Sequence, residues 1–151
     1  MEYRKIYHRE SVHRENMELL VEGPVPPESL QNMKMHTTLD AFRPPDEQHK
    51  ALVEISELPE GRIIISRLEN MIVGYVTFHA PEPLERWSEG GMEEMVELGA
   101  VEDAEPFRKM GLGKRMIRLA FAGGQMDNLI IYTTEYYWHW DLDKSGLNVW
   151  Q

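Results

Sequence analysis

The chain has 151 residues, 42% of them apolar and 28% charged, with 16 Lys and Arg against 26 Asp and Glu and a formal net charge of −10. That composition suits one globular domain with a core, and the acidic balance argues against a nucleic-acid backbone as main partner. No apolar run approaches the ~20 residues of a membrane span, MEYRKIYHRESVHREN is too polar for a secretory leader, and the lack of cysteine excludes disulfides, thiolate metal sites and a cysteine nucleophile while fitting a cytoplasmic setting.

In chain order, residues 6–22 are ambiguous, although VHRENMELLVEGP can be a strand ending at Gly23-Pro24. PPESLQNMKM begins with Pro27 and Ser29, favourable helix-start chemistry, and predicts a short helix. Pro44 and Pro45 in AFRPP predict a break. DEQHKALVEISEL predicts a helix with Asp46 as N-cap and Leu52, Ile55 and Leu58 on one face. GRIIISRL and MIVGYVTFHA, joined by Glu69-Asn70, predict a hairpin. PEPLERWSEGGMEE is a loop, VELGAVED a third strand of the same sheet, and NLIIYTT a short strand of the buried type. Between these last two, 112–122 predicts a helix with Leu112, Met116, Leu119 and Ala120 near one stripe, stopped by Gly123-Gly124. The order is α/β, with a right-handed crossover from strand through turn and helix to strand.

The turn inside that crossover carries the chemistry. PFRKMGLGKRMIRLAFAGGQM holds five basic residues (Arg108, Lys109, Lys114, Arg115, Arg118) and no acid. It does not match the P-loop pattern, and the dinucleotide fingerprint fails where Met116 replaces its last glycine. What remains is R-x-x-G-x-G, formed by Arg108, Gly111 and Gly113. Glycines there let main-chain amides close on a phosphate at a helix N-terminus, with Lys109 and Lys114 at the rim. A plain turn with a solvated basic face is the competing reading, and the absence of any acid in the window favours phosphate.

In this position, after VELGAVED and before an amphipathic helix, the motif resembles motif A of the Gcn5-related N-acetyltransferases. AFRPPDEQHKALVEI, LPEGRIIISRLENMIVGYVTFHAPEPLERWSEG and TTEYYWHWDLDKSGLNVW resemble one bacterial branch, the acetoin-utilisation (AcuA) proteins, over nearly the whole chain. The resemblance implies the acyl-CoA N-acyltransferase fold, a mixed and mostly antiparallel sheet flanked by helices and splayed between the VELGAVED and NLIIYTT strands. It implies acetyl-CoA as cosubstrate, its pantetheine arm against the backbone of Val101, Glu102 and Asp103. The diphosphate would lie on the amides of Lys109, Met110, Gly111, Leu112, Gly113 and Lys114, beside Arg108. The branch implies a protein acceptor, a lysine of AMP-forming acetyl-CoA synthetase, whose acetylation switches that enzyme off.

A lysine amine is protonated near neutrality and needs a base before it attacks a thioester. Glu97 stands eleven residues before Arg108, the spacing at which histone-acetylating relatives carry their glutamate base. In a regular strand Glu97, Gly99, Val101 and Asp103 share one face and Glu102 points to the other, which makes Glu102 the alternate base. A strand amide near 97–99 is expected to meet the oxyanion. For the leaving thiolate the sequence departs from the family pattern: Tyr136 and Tyr137 stand in for its usual tyrosine, against the plainer reading of EYYWHWD as aromatic packing. His139 has no second histidine at ligand spacing, so no metal is assigned. Relative to the branch the chain looks shortened at its C-terminus, or completed by another subunit as in a homodimer. The resemblance implies that AFRPP and PEPLERW flank the acceptor side, where Arg43, Arg86 and Trp87 either touch a partner protein or, as the plainer reading, brace the loops. Two other functions stay open: a small-molecule amine acetyltransferase and a non-catalytic acyl-CoA-binding module.

Overall fold

The computed structural model describes residues 3–81 and 94–134. Among those residues the frame is a seven-stranded sheet of β1 (His8–Arg14), β2 (Met17–Gly23), β3 (Lys34–Met35), β4 (Arg62–Leu68), β5 (Met71–His79), β6 (Met95–Asp103) and β7 (Ile130–Tyr132), in the order β1-β2-β4-β5-β6-β7 with β3 set against the start of β5. The ambiguous N-terminal stretch is a hairpin: β1 (His8–Arg14) and β2 (Met17–Gly23) pair antiparallel. Its turn residues Glu15 and Asn16 both have positive φ, 51° and 65°, the backbone that matches strand twist in a two-residue hairpin. A short helix, α1 (Pro27–Gln31), and the two-residue β3 (Lys34–Met35) follow.

The second helix corrects two expectations. α2 runs from Pro45 to Glu57 with Pro44 as N-cap, and Asp46 lies in its first turn without capping it. Pro45 starts the helix because its fixed φ is already helical and its missing N–H is not needed there. The buried face is Gln48, Leu52, Val53 and Ser56, whereas Leu58 is exposed just past the end.

β4 (Arg62–Leu68) and β5 (Met71–His79) form the expected hairpin, with Glu69 at φ 52°. Both are central strands covered on two sides, so Ile63, Ile64, Ile65, Ile72, Val73 and Val76 are all fully buried. Each such side chain contributes roughly 1.5–3 kcal/mol relative to exposure. β6 (Met95–Asp103) runs antiparallel to β5, and α3 (Leu112–Ala120) leads to β7 (Ile130–Tyr132), parallel to β6. Leu112, Met116, Leu119 and Ala120 are the buried residues of α3, the stripe that the spacing predicts. β7 departs from expectation: Ile130 is 48% exposed, and among the described residues no strand covers its outer edge.

α3 and α2 lie on opposite faces of the sheet. A Cβ on Gly74 of β5 would come within 3.2 Å of the Met116 terminal methyl of α3. The next residue, Tyr75, meets the Gln48 side chain of α2 instead.

Candidate functional site

The turn between β6 and α3 is shaped by backbone hand. Phe107 buries its ring at the end of a 3-10 turn, and Arg108 is extended. Lys109 then takes φ 64° and Gly111 φ 75°. A left-handed lysine costs on the order of 1 kcal/mol, and such alternation turns successive amides to one side. α3 has no side-chain N-cap bond, so the amides of Leu112, Gly113 and Lys114 lack partners inside the helix and present its positive end. Arg108, Lys109 and Lys114 are exposed around the turn. Arg115 turns back to Glu10 of β1, 3.6 Å away, and Arg118 lies on that same side. Three of the five cations therefore serve the turn.

The two glycines differ in what requires them. Gly111 has positive φ and, among the described residues, nothing within 4 Å of a built Cβ, so conformation demands it. Gly113 has no such φ, and its Cβ would sit 3.5 Å from Val101 Cγ1 and 4.0 Å from Asp103 Oδ2, ordinary contacts. Nothing among the described residues needs glycine at 113; close approach by a ligand would.

Beside the turn runs a free backbone edge. β7 pairs with β6 only at Met95, Val96 and Glu97, so on that side 98–103 has no strand partner among the described residues. Val101 is 38% exposed there. An extended ligand arm fits this edge as a further strand. Asp103 lies at its end. Burial pushes its carboxyl up, Arg108 opposes the shift and Glu102 adds to it. Its Oδ1 is buried with no hydrogen-bond partner among the described residues.

The faces of β6 correct the sequence reading. Thr77 pairs with Ala100 but Phe78 with Leu98, which leaves Gly99 as the extra residue of a β-bulge. His79, Thr77 and Tyr75 alternate onto one face of β5, and their partners are Glu97, Ala100 and Glu102. The two glutamates thus share the α2 side, while Val101 and Asp103 turn to the α3 side. Both carboxylates are buried, 8% and 6% exposed. Glu102 is engaged at both oxygens: the Ala41 N–H donates to Oε2 at 2.8 Å and the Tyr75 hydroxyl to Oε1 at 2.5 Å. Burial first, then this bond, pushes the Tyr75 phenol up.

Glu97 faces His79, a residue that sequence reasoning missed. Nδ1 of His79 lies 2.8 Å from the Ala80 carbonyl, which only accepts, so Nδ1 carries the proton and Nε2 is the basic nitrogen of the neutral ring. The ring occupies the space that a Gly99 side chain would take. A glycine inside VELGAVED was the available signal, since glycine in a strand marks a bulge or a close approach. A cleft of about 460 Å³ between α2 and the end of β5 is lined by Arg43, Glu54, Glu60 and His79 among others. Arg86, Trp87, Tyr136, Tyr137 and His139 lie outside the described residues. Among those described, no group of three His, Asp or Glu side chains gathers to hold a metal, and no helix is long and apolar enough to cross a membrane.

Comparison with known proteins places this geometry. No family model matches the chain. It is 52% identical to the acetoin utilization protein AcuA of Bacillus subtilis and 50% identical to that of Bacillus licheniformis, over all of this chain and 72% of each relative. The crystal structure of an acetoin utilization protein from Exiguobacterium sibiricum superposes with a TM-score of 0.87 at 47% identity, covering 98% of this chain and 70% of that one. The chain belongs to the AcuA family. Its architecture is α/β, a mixed sheet flanked by helices, and the R-x-x-G-x-G turn of this AcuA member stands between β6 and α3.

Proposed function

We propose that this AcuA-family chain is an acetyl-CoA-dependent N-acetyltransferase whose acceptor is a lysine of AMP-forming acetyl-CoA synthetase, inactivated by the modification during acetoin and acetate utilisation. The observation that carries the reading is the uncapped N-terminus of α3 behind a left-handed Lys109 and Gly111, with Gly113 kept clear. Amides from Lys109 to Lys114 hold the diphosphate there, Arg108 and the two lysines screen it, and the free edge at Val101–Asp103 aligns the pantetheine arm. Acetyl-CoA supplies an acetyl group on an activated thioester. Glu97 takes the proton from the acceptor amine, directly or through water, on the side where His79 and the α2 cleft lie. The neutral amine forms the C–N bond as the thioester C–S bond breaks, and CoA leaves as a thiolate that takes its proton from Tyr136 or from water. Glu102, held by two donors, is the less suited of the two glutamates. Main-chain amides near Gly99 polarise the thioester carbonyl without adding a charge.

The test is label transfer from radioactive acetyl-CoA to acetyl-CoA synthetase. Glu97→Gln should lower kcat/KM by roughly 10²–10⁴ and leave acetyl-CoA affinity unchanged; transfer untouched by the substitution removes Glu97 as base. Turnover of free amines without transfer to the synthetase would favour a small-molecule enzyme. Acetyl-CoA binding with no transfer to either would leave a binding module.

A further inference from the structure

The mechanism above uses the backbone of Asp103 and leaves its carboxyl without a task. On the α3 face, Ser66, Gly74 and Asp103 form a row across β4, β5 and β6, Ser66 paired with Gly74 and Gly74 with Asp103. Gly74 has no side chain, and the Asp103 carboxyl folds over it. A Cβ at Gly74 would stand 2.7 Å from Asp103 Oδ1 and 3.2 Å from the Met116 terminal methyl. Asp103 Oδ1 and Ser66 Oγ are both buried with no hydrogen-bond partner among the described residues. An ionised carboxylate is costly in such a place, because no donor replaces the water it has lost. The other oxygen lies towards the turn: Oδ2 is 4.0 Å from where a Gly113 Cβ would stand, beside the amides proposed to meet the diphosphate.

Burial favours the acid form of Asp103 most, Arg108 opposes it, and Glu102 on the opposite face of β6 adds to it. Arg108 is anchored close by, its Nε donating to the Asp103 carbonyl oxygen at 3.4 Å. The other elements packed here bring no further charge to the carboxyl: α3 offers Met116 and the amides of its first turn, β5 the bare Gly74, and β4 the Ser66 hydroxyl. Lys109 and Lys114 are exposed at the rim of the turn. A diphosphate on the turn shifts this balance twice over. Its negative charge disfavours a second anion beside it, and it engages Arg108 and the positive helix end, the groups that favour the carboxylate in the free protein. We propose, on the reading that the turn holds acetyl-CoA, that the Asp103 side chain binds the cofactor as the neutral acid. It takes up one proton from solvent as the diphosphate settles, so affinity for acetyl-CoA falls as pH rises. The O–H formed donates a hydrogen bond where the carboxylate only accepts. Protonation and cofactor binding strengthen each other by the same factor.

Isothermal titration from about pH 5 to about pH 8, in buffers of different ionisation enthalpy, counts the protons taken up with CoA and with dephospho-CoA. Dephospho-CoA keeps the diphosphate and lacks the 3′-phosphate, whose own titration at about pH 6 would add to the count. With dephospho-CoA the parent should take up a fraction of a proton that approaches one. Its Kd should rise by up to about ten-fold per pH unit across the window where the free and bound proteins titrate differently. Asp103→Asn matches the neutral acid in shape. It should take up no proton, bind with a Kd flat in pH, and bind about ten-fold more tightly than the parent at the alkaline end. Binding to the parent without proton uptake, or a pH slope that Asp103→Asn retains, overturns the proposal. Should the variant fail to fold, the proton count on the parent decides alone; should dephospho-CoA bind too weakly to titrate, the parent and the variant are compared with CoA. Tight binding that ignores pH removes the role of Asp103 and leaves the acetyltransferase reading standing. Failure of both ligands to bind at any pH overturns that reading, and the role of Asp103 with it.

Discussion

Replacing Gly113 by alanine should move stability and binding in opposite directions. The residue lies in the first turn of α3 with no left-handed φ, and the new methyl would meet Val101 Cγ1 at 3.5 Å and Asp103 Oδ2 at 4.0 Å, without overlap. Alanine is favoured over glycine inside a helix by about 0.5–1 kcal/mol, and the lower end applies this close to the N-terminus. For a domain of this size that raises the melting temperature by about 1–3 °C. The same methyl stands beside Val101, where the pantetheine arm and diphosphate are proposed to meet, so acetyl-CoA should bind at least ten-fold more weakly, about 1.4 kcal/mol. Scanning calorimetry of the ligand-free protein gives the first quantity and isothermal titration with acetyl-CoA the second. A variant that melts higher and binds as tightly as the parent refutes the claim that a ligand requires glycine here. One that melts lower shows a packing role that the contacts do not reveal.

Three further outcomes follow from the same geometry. Charge reversal at both Lys109 and Lys114 should weaken acetyl-CoA binding, and the loss should be larger at low salt than at high, as a titration series in sodium chloride would show. Gly99→Ala forces the His79 ring away from the bulge and should lower stability by roughly 1–3 kcal/mol; an unchanged denaturation midpoint would mean the strand absorbs the methyl. The third concerns pH. Burial raises Asp103, so the folded protein holds that proton to a higher pH than the unfolded chain does, and stability is lost as pH rises through the raised value. Asp103→Asn should therefore melt above the parent near neutrality, with the difference narrowing as pH falls towards the ordinary carboxylate range. A constant difference across pH would show that the carboxyl does not titrate in that window.

Local pattern determined much of this protein. The β4–β5 hairpin, the α3 stripe and the glycine turn each depend on neighbours in sequence, through alternation, helical spacing and permitted φ. Even the N-terminal hairpin was legible in principle, because Glu15-Asn16 repeats the Glu69-Asn70 pair that marks the second hairpin. Tertiary structure decided the rest. Alternation along β6 was bound to place Glu97 and Glu102 on opposite faces, and only pairing with β5 reveals the extra residue at Gly99 that brings them together. Nothing local says that Arg115 leaves the basic turn for Glu10, or that Glu102 joins Ala41 to Tyr75. Those contacts join residues 27 to 105 positions apart, where register and burial, rather than residue type, choose the partner.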